Sequence, residues 1–219
     1  MKCEAFIFDL DGVLVDSAKF HYLAWKAIAD KLEINFTLKD NERLKGVSRR
    51  ESLEILLSLK PLNITETDKC KLMEEKNALY LEYIMKMTEH DILPGARDFL
   101  CEARNRGLKI SLASASKNAS LILKQVKIIE LFDAIIDGNM TSRTKPDPEV
   151  FIKAADALKS PYEHCVVFED AEAGIEAACR AGMLPVAITE ELFQKAKLQY
   201  KNLAECKIDD VLRAVEANF

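Results

Sequence analysis

The sequence predicts an α/β protein: a doubly wound, Rossmann-like parallel sheet with a helical cap domain inserted after its first strand. Three observations predict it. Apolar runs of about four residues recur, most without polar alternation, as central strands covered on both faces require. From residue 91 onward these runs alternate with helical patterns. Between residues 16 and 88 that rhythm breaks, and helical stretches follow one another with no convincing strand. The expected division is an α/β core of residues 1–15 and 89–219 and a cap of residues 16–88.

The first strand is expected at residues 5–8. The cap follows with helices at 18–32, 49–59 and 68–87. In the first of these, Phe20, Leu23, Ala27, Ile28 and Leu32 recur at helical spacing. Ser48, three residues before Glu51, matches a capping box, and Thr65-Glu66-Thr67-Asp68 resembles one. Such a block reads as a cover over the C-terminal edge of the sheet, where open α/β folds bind ligands. In the core, strands at 110–113, 134–136, 165–168 and 186–188 alternate with helices at 96–106, 118–127, 148–158 and 171–181. Asp147-Pro148 supplies a cap and a proline for the first helical position.

Bulk properties narrow the partners. The chain has 219 residues, a net charge of −5 and no basic block, so nucleic acid is not expected, although local donors can still hold one small phosphate. Cys3, Cys70, Cys101, Cys165, Cys179 and Cys206 are scattered without a Cys-x-x-Cys pair. Neither zinc nor a disulfide framework is expected, and free thiols suit a reducing cytoplasm. No apolar run is long enough for a membrane span, and the N-terminal one is too short for a signal peptide. The expectation is a cytoplasmic protein.

Four segments carry chemistry. Phe8-Asp9-Leu10-Asp11-Gly12-Val13 places two carboxylates two residues apart at a strand exit, where both can point to one side of an extended chain. Gly12 permits a tight turn or a close backbone approach. Alone, the segment also fits a calcium-loop fragment or a surface turn, but the glutamate of an EF-hand loop is missing. Val167-Phe168-Glu169-Asp170 puts acids at a second strand exit, where Asp170 could equally cap the next helix. Carboxylates gathered at one sheet edge repel unless a hard cation joins them, and Mg²⁺ prefers such oxygen ligands. In Ser111-Leu112-Ala113-Ser114-Ala115-Ser116-Lys117-Asn118, hydroxyls meet the free amides of a new helix, which suits either phosphate binding or simple capping by Ser116. Lys145 precedes a helix, where a lysine is ordinarily a solvated charge; its place between the Ser114 and Asp170 segments marks it.

Asp9-x-Asp11, Ser114, Lys145 and Glu169-Asp170, in this order on an α/β pattern, resemble the haloacid dehalogenase superfamily over nearly the whole chain. The resemblance implies Mg²⁺-dependent phosphoryl transfer. Asp9 would be the nucleophile and Asp11 the acid/base, with Ser114 and Lys145 holding the transferring group. Asp9, Glu169, Asp170 and the backbone carbonyl of Asp11 would hold the metal. The cap residues His21, Trp25, Lys45-Gly46-Val47-Ser48-Arg49, Ser52 and Lys76-Asn77, with Ser114 to Asn118, are similar to the β-phosphoglucomutase family. By that resemblance the segment from Lys45 to Arg49 covers a sugar phosphate and Arg49 contacts its non-transferring phosphate. Ser116, Lys117 and Asn118, preceded by Ala115, support the same phosphate from the core, and His21 works with Asp11. The implied reaction converts β-D-glucose 1-phosphate to glucose 6-phosphate through an aspartyl phosphate and β-glucose 1,6-bisphosphate, with a bisphosphate primer, in a monomer.

The residues alone leave other readings open. Spacing lets His21 and Trp25 be helix packing, and Ser48 a helix cap. Arg49 and Arg50 near a helix N-terminus oppose its dipole, a conflict that a bound anion relieves. Ser17 stands where the family commonly has Thr, and after Pro185 a common Gly-rich turn is replaced by Ala187-Ile188-Thr189-Glu190-Glu191. A phosphatase or pyrophosphatase of the same fold would let water take the phosphoryl group from the aspartate. A non-catalytic phosphometabolite-binding module is the reading from another class, and retention of the whole acidic and basic set argues against it. No G-x-x-x-x-G-K-[ST] segment supports a nucleotide kinase.

Overall fold

A computed structural model describes residues 2–44 and 47–218. Six parallel strands, β1 (Ala5–Phe8), β2 (Lys109–Ala113), β3 (Ala134–Ile136), β4 (Cys165–Glu169), β5 (Leu184–Ile188) and β6 (Leu198–Tyr200), run in the order β3-β2-β1-β4-β5-β6. The chain winds outward on one side of β1, then returns to build β4 on the other. The strand order therefore reverses at β1, and the crevice at its C-terminal end is where this architecture takes ligands.

Why β1 lacks polar alternation is now clear. Phe6 and Phe8 point to a cluster with Phe99 and Phe168, whereas Ala5 and Ile7 point to another with Val150, Phe151 and Ala154. All four residues of the strand are fully buried. The core helices α5 (Ala96–Asn105), α6 (Ala119–Gln125), α7 (Glu149–Leu158), α8 (Glu172–Arg180) and α9 (Ile208–Asn218) cover these two faces. Each expected strand is present, with β2, β4 and β5 extended by one or two residues. Two core elements were not expected: the half-buried edge strand β6, three residues long, and the amphipathic helix α9. The start of α7 also differs. Pro148 is its N-cap and Glu149 its first residue, although Asp147 Oδ1 still accepts from the Glu149 amide at 3.0 Å.

Between β1 and α5 lie α1 (Ala18–Lys31), α2 (Leu38–Glu42), α3 (Arg49–Leu57) and α4 (Glu66–Ile84). Trp25, Ile28, Phe36, Leu53, Leu56 and Leu72 form a hydrophobic cluster of their own here. The end of α4 leaves it: Tyr80 and Ile84 belong to the cluster beneath the sheet. α2 was missed because it has only five residues, fixed by a reciprocal Thr37–Asp40 capping box. α4 starts two residues earlier than the sequence pattern suggested, since Thr65 is its N-cap and accepts from the Asp68 amide. At α3 the expected box is half made. Ser48 accepts from the Glu51 amide at 3.2 Å, but the Glu51 carboxylate instead receives the Thr144 hydroxyl at 2.7 Å.

Candidate active site

Asp9 is the first residue beyond β1. Its amide donates to the Phe168 carbonyl of β4 at 3.0 Å, and the register pairing Phe8 with Phe168 sets Asp9 beside Glu169. Lys145 is no solvated surface charge. Its Nζ is buried 2.5 Å from Asp9 Oδ1 and 2.6 Å from Glu169 Oε1. Burial opposes the ammonium charge, yet the two carboxylates outweigh it and hold the lysine above its ordinary pKa. Burial, offset in part by Lys145 and reinforced by Glu169 and Asp11, pushes Asp9 up to about 7.

Oxygen atoms of Asp9, Glu169 and Asp170 lie within 4.8 Å of one another. The donors are all hard carboxylate oxygens, and their combined negative charge exceeds the single positive charge of Lys145. Such a set fits a hard divalent cation. The Asp11 carboxylate is not among the three; the resemblance assigns its backbone carbonyl to the metal, not its side chain. Two glycines let these acids approach. Gly12 has φ +84°, and a Cβ there would sit 2.2 Å from Asp170 Oδ2. A Cβ on Gly174, in the first turn of α8, would sit 1.9 Å from Glu169 Oε1.

Asp11 is turned toward the cap. The Ser17 hydroxyl donates to its Oδ1, and His21 Nε2 lies 3.9 Å from the same oxygen. Burial raises the Asp11 carboxyl above its ordinary value despite the Ser17 bond. His21 is driven well below the usual histidine value by burial and by the neighbouring Lys76 and Arg49 cations, which makes it neutral at pH 7. Lys76, itself buried, approaches His21 Nδ1 at 2.8 Å and lies over the rings of Tyr80 and Trp25. Burial and Arg49 push its pKa down to about 7. A chain Lys76–His21–Asp11 thus runs from the cap to the second acid.

A cavity of about 290 Å³ lies between these groups and the cap. It is lined by Asp9, Asp11, Ser114, Lys145 and Asp170, and also by His21, Trp25, Val47, Ser48, Arg49, Ser52, Lys76 and the run from Ala115 to Asn118. Glu169 sits behind it, fully buried, with Oε2 accepting from the Ala171 amide. Lys45 and Gly46 lie outside the described residues. Trp25 is 1% exposed and belongs to the cap cluster, so packing accounts for most of it, although it also lines the cavity. Arg49 and Arg50 resolve their dipole conflict differently. Arg50 pairs with Glu54 and Glu66 at the surface, whereas Arg49, half-buried, donates to the amide oxygen of Asn77 at 2.6 Å. At the start of α6, Ser114 Oγ accepts from the Ser116 amide and Ser116 Oγ from the Asn118 amide.

Sequence reasoning missed Asn41, Leu44, Tyr80 and the loop of residues 141–144, all of which line the cavity. Tyr80 was detectable from its i,i+4 spacing to Lys76. The loop was signalled only by its adjacency to Lys145. It is gathered by the Glu149 carboxylate, which accepts from the amides of Ser142 at 3.0 Å and Arg143 at 2.7 Å.

A parallel sheet reversing at β1, with an aspartate at that strand's exit and an acidic pair on its neighbour, is the arrangement that the resemblance to a phosphoryl-transfer class implies, and comparison with known proteins agrees. Residues 3–182 match the haloacid dehalogenase-like hydrolase model. A β-phosphoglucomutase from Bacillus subtilis is 46% identical, the match covering 84% of this chain and 83% of that one. A solved β-phosphoglucomutase structure from Clostridium difficile superposes with a TM-score of 0.94 at 39% identity, covering 99% and 98% of the two chains. A phosphorylated carbohydrates phosphatase from Thermotoga maritima is 29% identical over 97% of this chain and 98% of its own. The chain belongs to the haloacid dehalogenase-like hydrolase family and, within it, to the β-phosphoglucomutase family.

Proposed function

We propose that this chain is a β-phosphoglucomutase, an isomerase that converts β-D-glucose 1-phosphate to glucose 6-phosphate by way of β-glucose 1,6-bisphosphate. The observation that carries the reading is a single cavity lined by two phosphate-competent sets. One is Asp9, Ser114 and Lys145; the other is Arg49 with Ser116, Lys117 and Asn118. An intermediate with a phosphate at each end needs both sets.

In this mechanism the Asp9 carboxylate attacks a phosphoryl group in line and becomes an aspartyl phosphate. Lys145 and the Ser114 hydroxyl face the negative charge that develops on the phosphoryl oxygens. Asp11, whose carboxyl burial raises above its ordinary value, gives a proton to the departing sugar oxygen and later removes one from the accepting hydroxyl. His21, held by Lys76, keeps Asp11 oriented. Asp9, Glu169 and Asp170, with the backbone carbonyl of Asp11, would hold Mg²⁺, which when bound neutralises the clustered carboxylates and polarises the phosphoryl group. The cycle starts from the phosphorylated enzyme, so a trace of bisphosphate serves as primer. The phosphoryl group passes to C6, the bisphosphate turns around, and Asp9 takes back the C1 phosphate.

Residues 16–88 act as the cap that shuts water out until a sugar hydroxyl arrives. Residues 1–15 and 89–219 supply the chemistry. One chain provides both phosphate sets, which suits a monomer. No helix of the described residues is long and apolar enough to cross a membrane, and with six free thiols this supports a cytoplasmic setting.

The test supplies β-glucose 1-phosphate, Mg²⁺ and trace β-glucose 1,6-bisphosphate. Glucose 6-phosphate accumulating with little free phosphate is the expected result. Stoichiometric phosphate release without isomerisation would replace the mutase with a sugar-phosphate phosphatase.

A further inference from the structure

Asn77, on α4, touches two of the groups assigned to the distal phosphate but does not itself line the cavity. Its Oδ1 accepts from Arg49 at 2.6 Å and from the Asn118 side-chain amide at 3.0 Å. Arg49 comes from α3 in the cap, whereas Asn118 precedes α6 at the sheet edge. One oxygen atom therefore ties a donor from above the cavity to a donor from below it. A separate hydrogen bond joins α3 to the core, where the Thr144 hydroxyl beside Lys145 donates to Glu51.

The bonding has two consequences. A guanidinium on a flexible stem loses rotamer freedom on meeting a phosphate, and a neutral acceptor that fixes it beforehand removes part of that cost. The acceptor is also an uncharged amide, so the Arg49 charge stays available to an anion, which a carboxylate at this place would cancel. Sharing one acceptor further keeps the two nitrogens close enough for one tetrahedral oxyanion to meet both.

We propose that Asn77 is a positioning residue for the distal phosphate, setting the span between Arg49 and Asn118 while leaving the arginine charge unspent. The proposal rests on the phosphoglucomutase reading. It adds that affinity for the non-transferring end depends on a side chain that never touches it.

Steady-state kinetics on the full chain with β-glucose 1-phosphate, Mg²⁺ and primer provide the test. Asn77→Ala should raise KM about tenfold while kcat changes about threefold or less, the signature of lost ground-state binding. Asn77→Asp keeps the acceptor and its shape but adds a negative charge, and should raise KM further. In an Arg49→Ala background the added effect of Asn77→Ala should shrink to about twofold, because the residue acts through Arg49. An unchanged KM in Asn77→Asp overturns the proposal, as does an Asn77→Ala effect that persists in full without Arg49. Should the parent chain release phosphate in place of isomerising, the mutase reading fails alone, and the same KM comparisons on the hydrolysis of β-glucose 1,6-bisphosphate, which keeps a non-transferring phosphate, decide Asn77.

Discussion

The two ends of the cavity are built on opposite principles. At the sheet edge, acids at two strand exits meet a lysine from the loop before α7, all three buried, and hold one another through ion pairs: Asp9, Lys145 and Glu169 form a contact chain with distances of 2.5 and 2.6 Å. At the cap end, long side chains leave helices, are half-buried, and are held by single bonds such as that between Arg49 and Asn77. Backbone register fixes the first group to within a hydrogen-bond length. Helix packing and one shared acceptor fix the second. The difference separates a chemistry that needs invariant geometry from a recognition that has to admit a substrate, turn it and release it.

The largest expected effect breaks the sheet-edge end. Asp9→Asn removes the nucleophile while keeping its shape, and turnover of β-glucose 1-phosphate should fall about 10⁴-fold or more. A residual rate within about tenfold of the parent would mean that Asp9 is not the phosphoryl acceptor.

Next comes the mould behind Glu169. Gly174→Ala forces a methyl into the carboxylate, and since both Glu169 oxygens are engaged, the acid cannot yield cheaply. Unfolding free energy by urea titration should drop by about 2–4 kcal/mol. A loss below about 0.5 kcal/mol would show that the sheet edge is softer than its packing indicates.

The cap end is probed by pH. Lys76 is pushed down to about 7 in the folded protein from an ordinary 10.5. Between those values the unfolded chain binds a proton at this lysine that the folded chain does not, so stability rises with pH there. The thiols of Cys3, Cys165 and Cys206 are raised from 9 to about 12, and they work in the opposite direction above pH 9. The informative window is therefore pH 7 to 9. Across it, unfolding free energies should climb more steeply in the parent than in Lys76→Met, and parallel slopes would remove Lys76 as the titrating group.

The smallest effect concerns Tyr80, whose ring lies tilted against that of His21 and whose buried hydroxyl stands near the Ser17 and Ser116 side chains without a well-formed hydrogen bond. Tyr80→Phe deletes an unsatisfied polar atom and should stabilise the free protein by about 1 kcal/mol, read as a raised Tm. A lowered Tm would show that the hydroxyl is partnered after all.

Legibility in the sequence follows the same divide. The chemistry-bearing ends of β1 and β4 were readable because central parallel strands write themselves as uninterrupted apolar runs, and Asp9 and Glu169 stand directly at their exits. Neither β6 nor α2 left such a mark. Leu198-Gln199-Tyr200 is a half-buried edge, and the five residues of α2 are too few to show a period. Motif likeness pointed to Arg49, to Asn77 and to the run from Ser116 to Asn118, but no local pattern announces that Asn77 joins Arg49 to Asn118, because its partners lie 28 and 41 residues away. Gly174 was equally silent. Within a helical pattern a glycine reads only as a mild cost, and its purpose is visible only once Glu169 lies against it. Lys145 shows the gap most plainly. Local sequence cannot distinguish a lysine that points at water from one folded between two buried acids.

One consequence of α4 concerns counting. Its Leu72 lies in the cap cluster and its Ile84 in the cluster under the sheet, so the helix works as a ruler between two cores, about 18 Å along its axis at 1.5 Å per residue. A ruler of this kind encodes angle as well as length. Inserting one residue between Leu72 and Lys76 would lengthen it by little, yet rotate everything beyond by about 100°, turning Lys76, Asn77 and Tyr80 away together. Side-chain substitutions in this helix can be repaired nearby; a change in its residue number cannot.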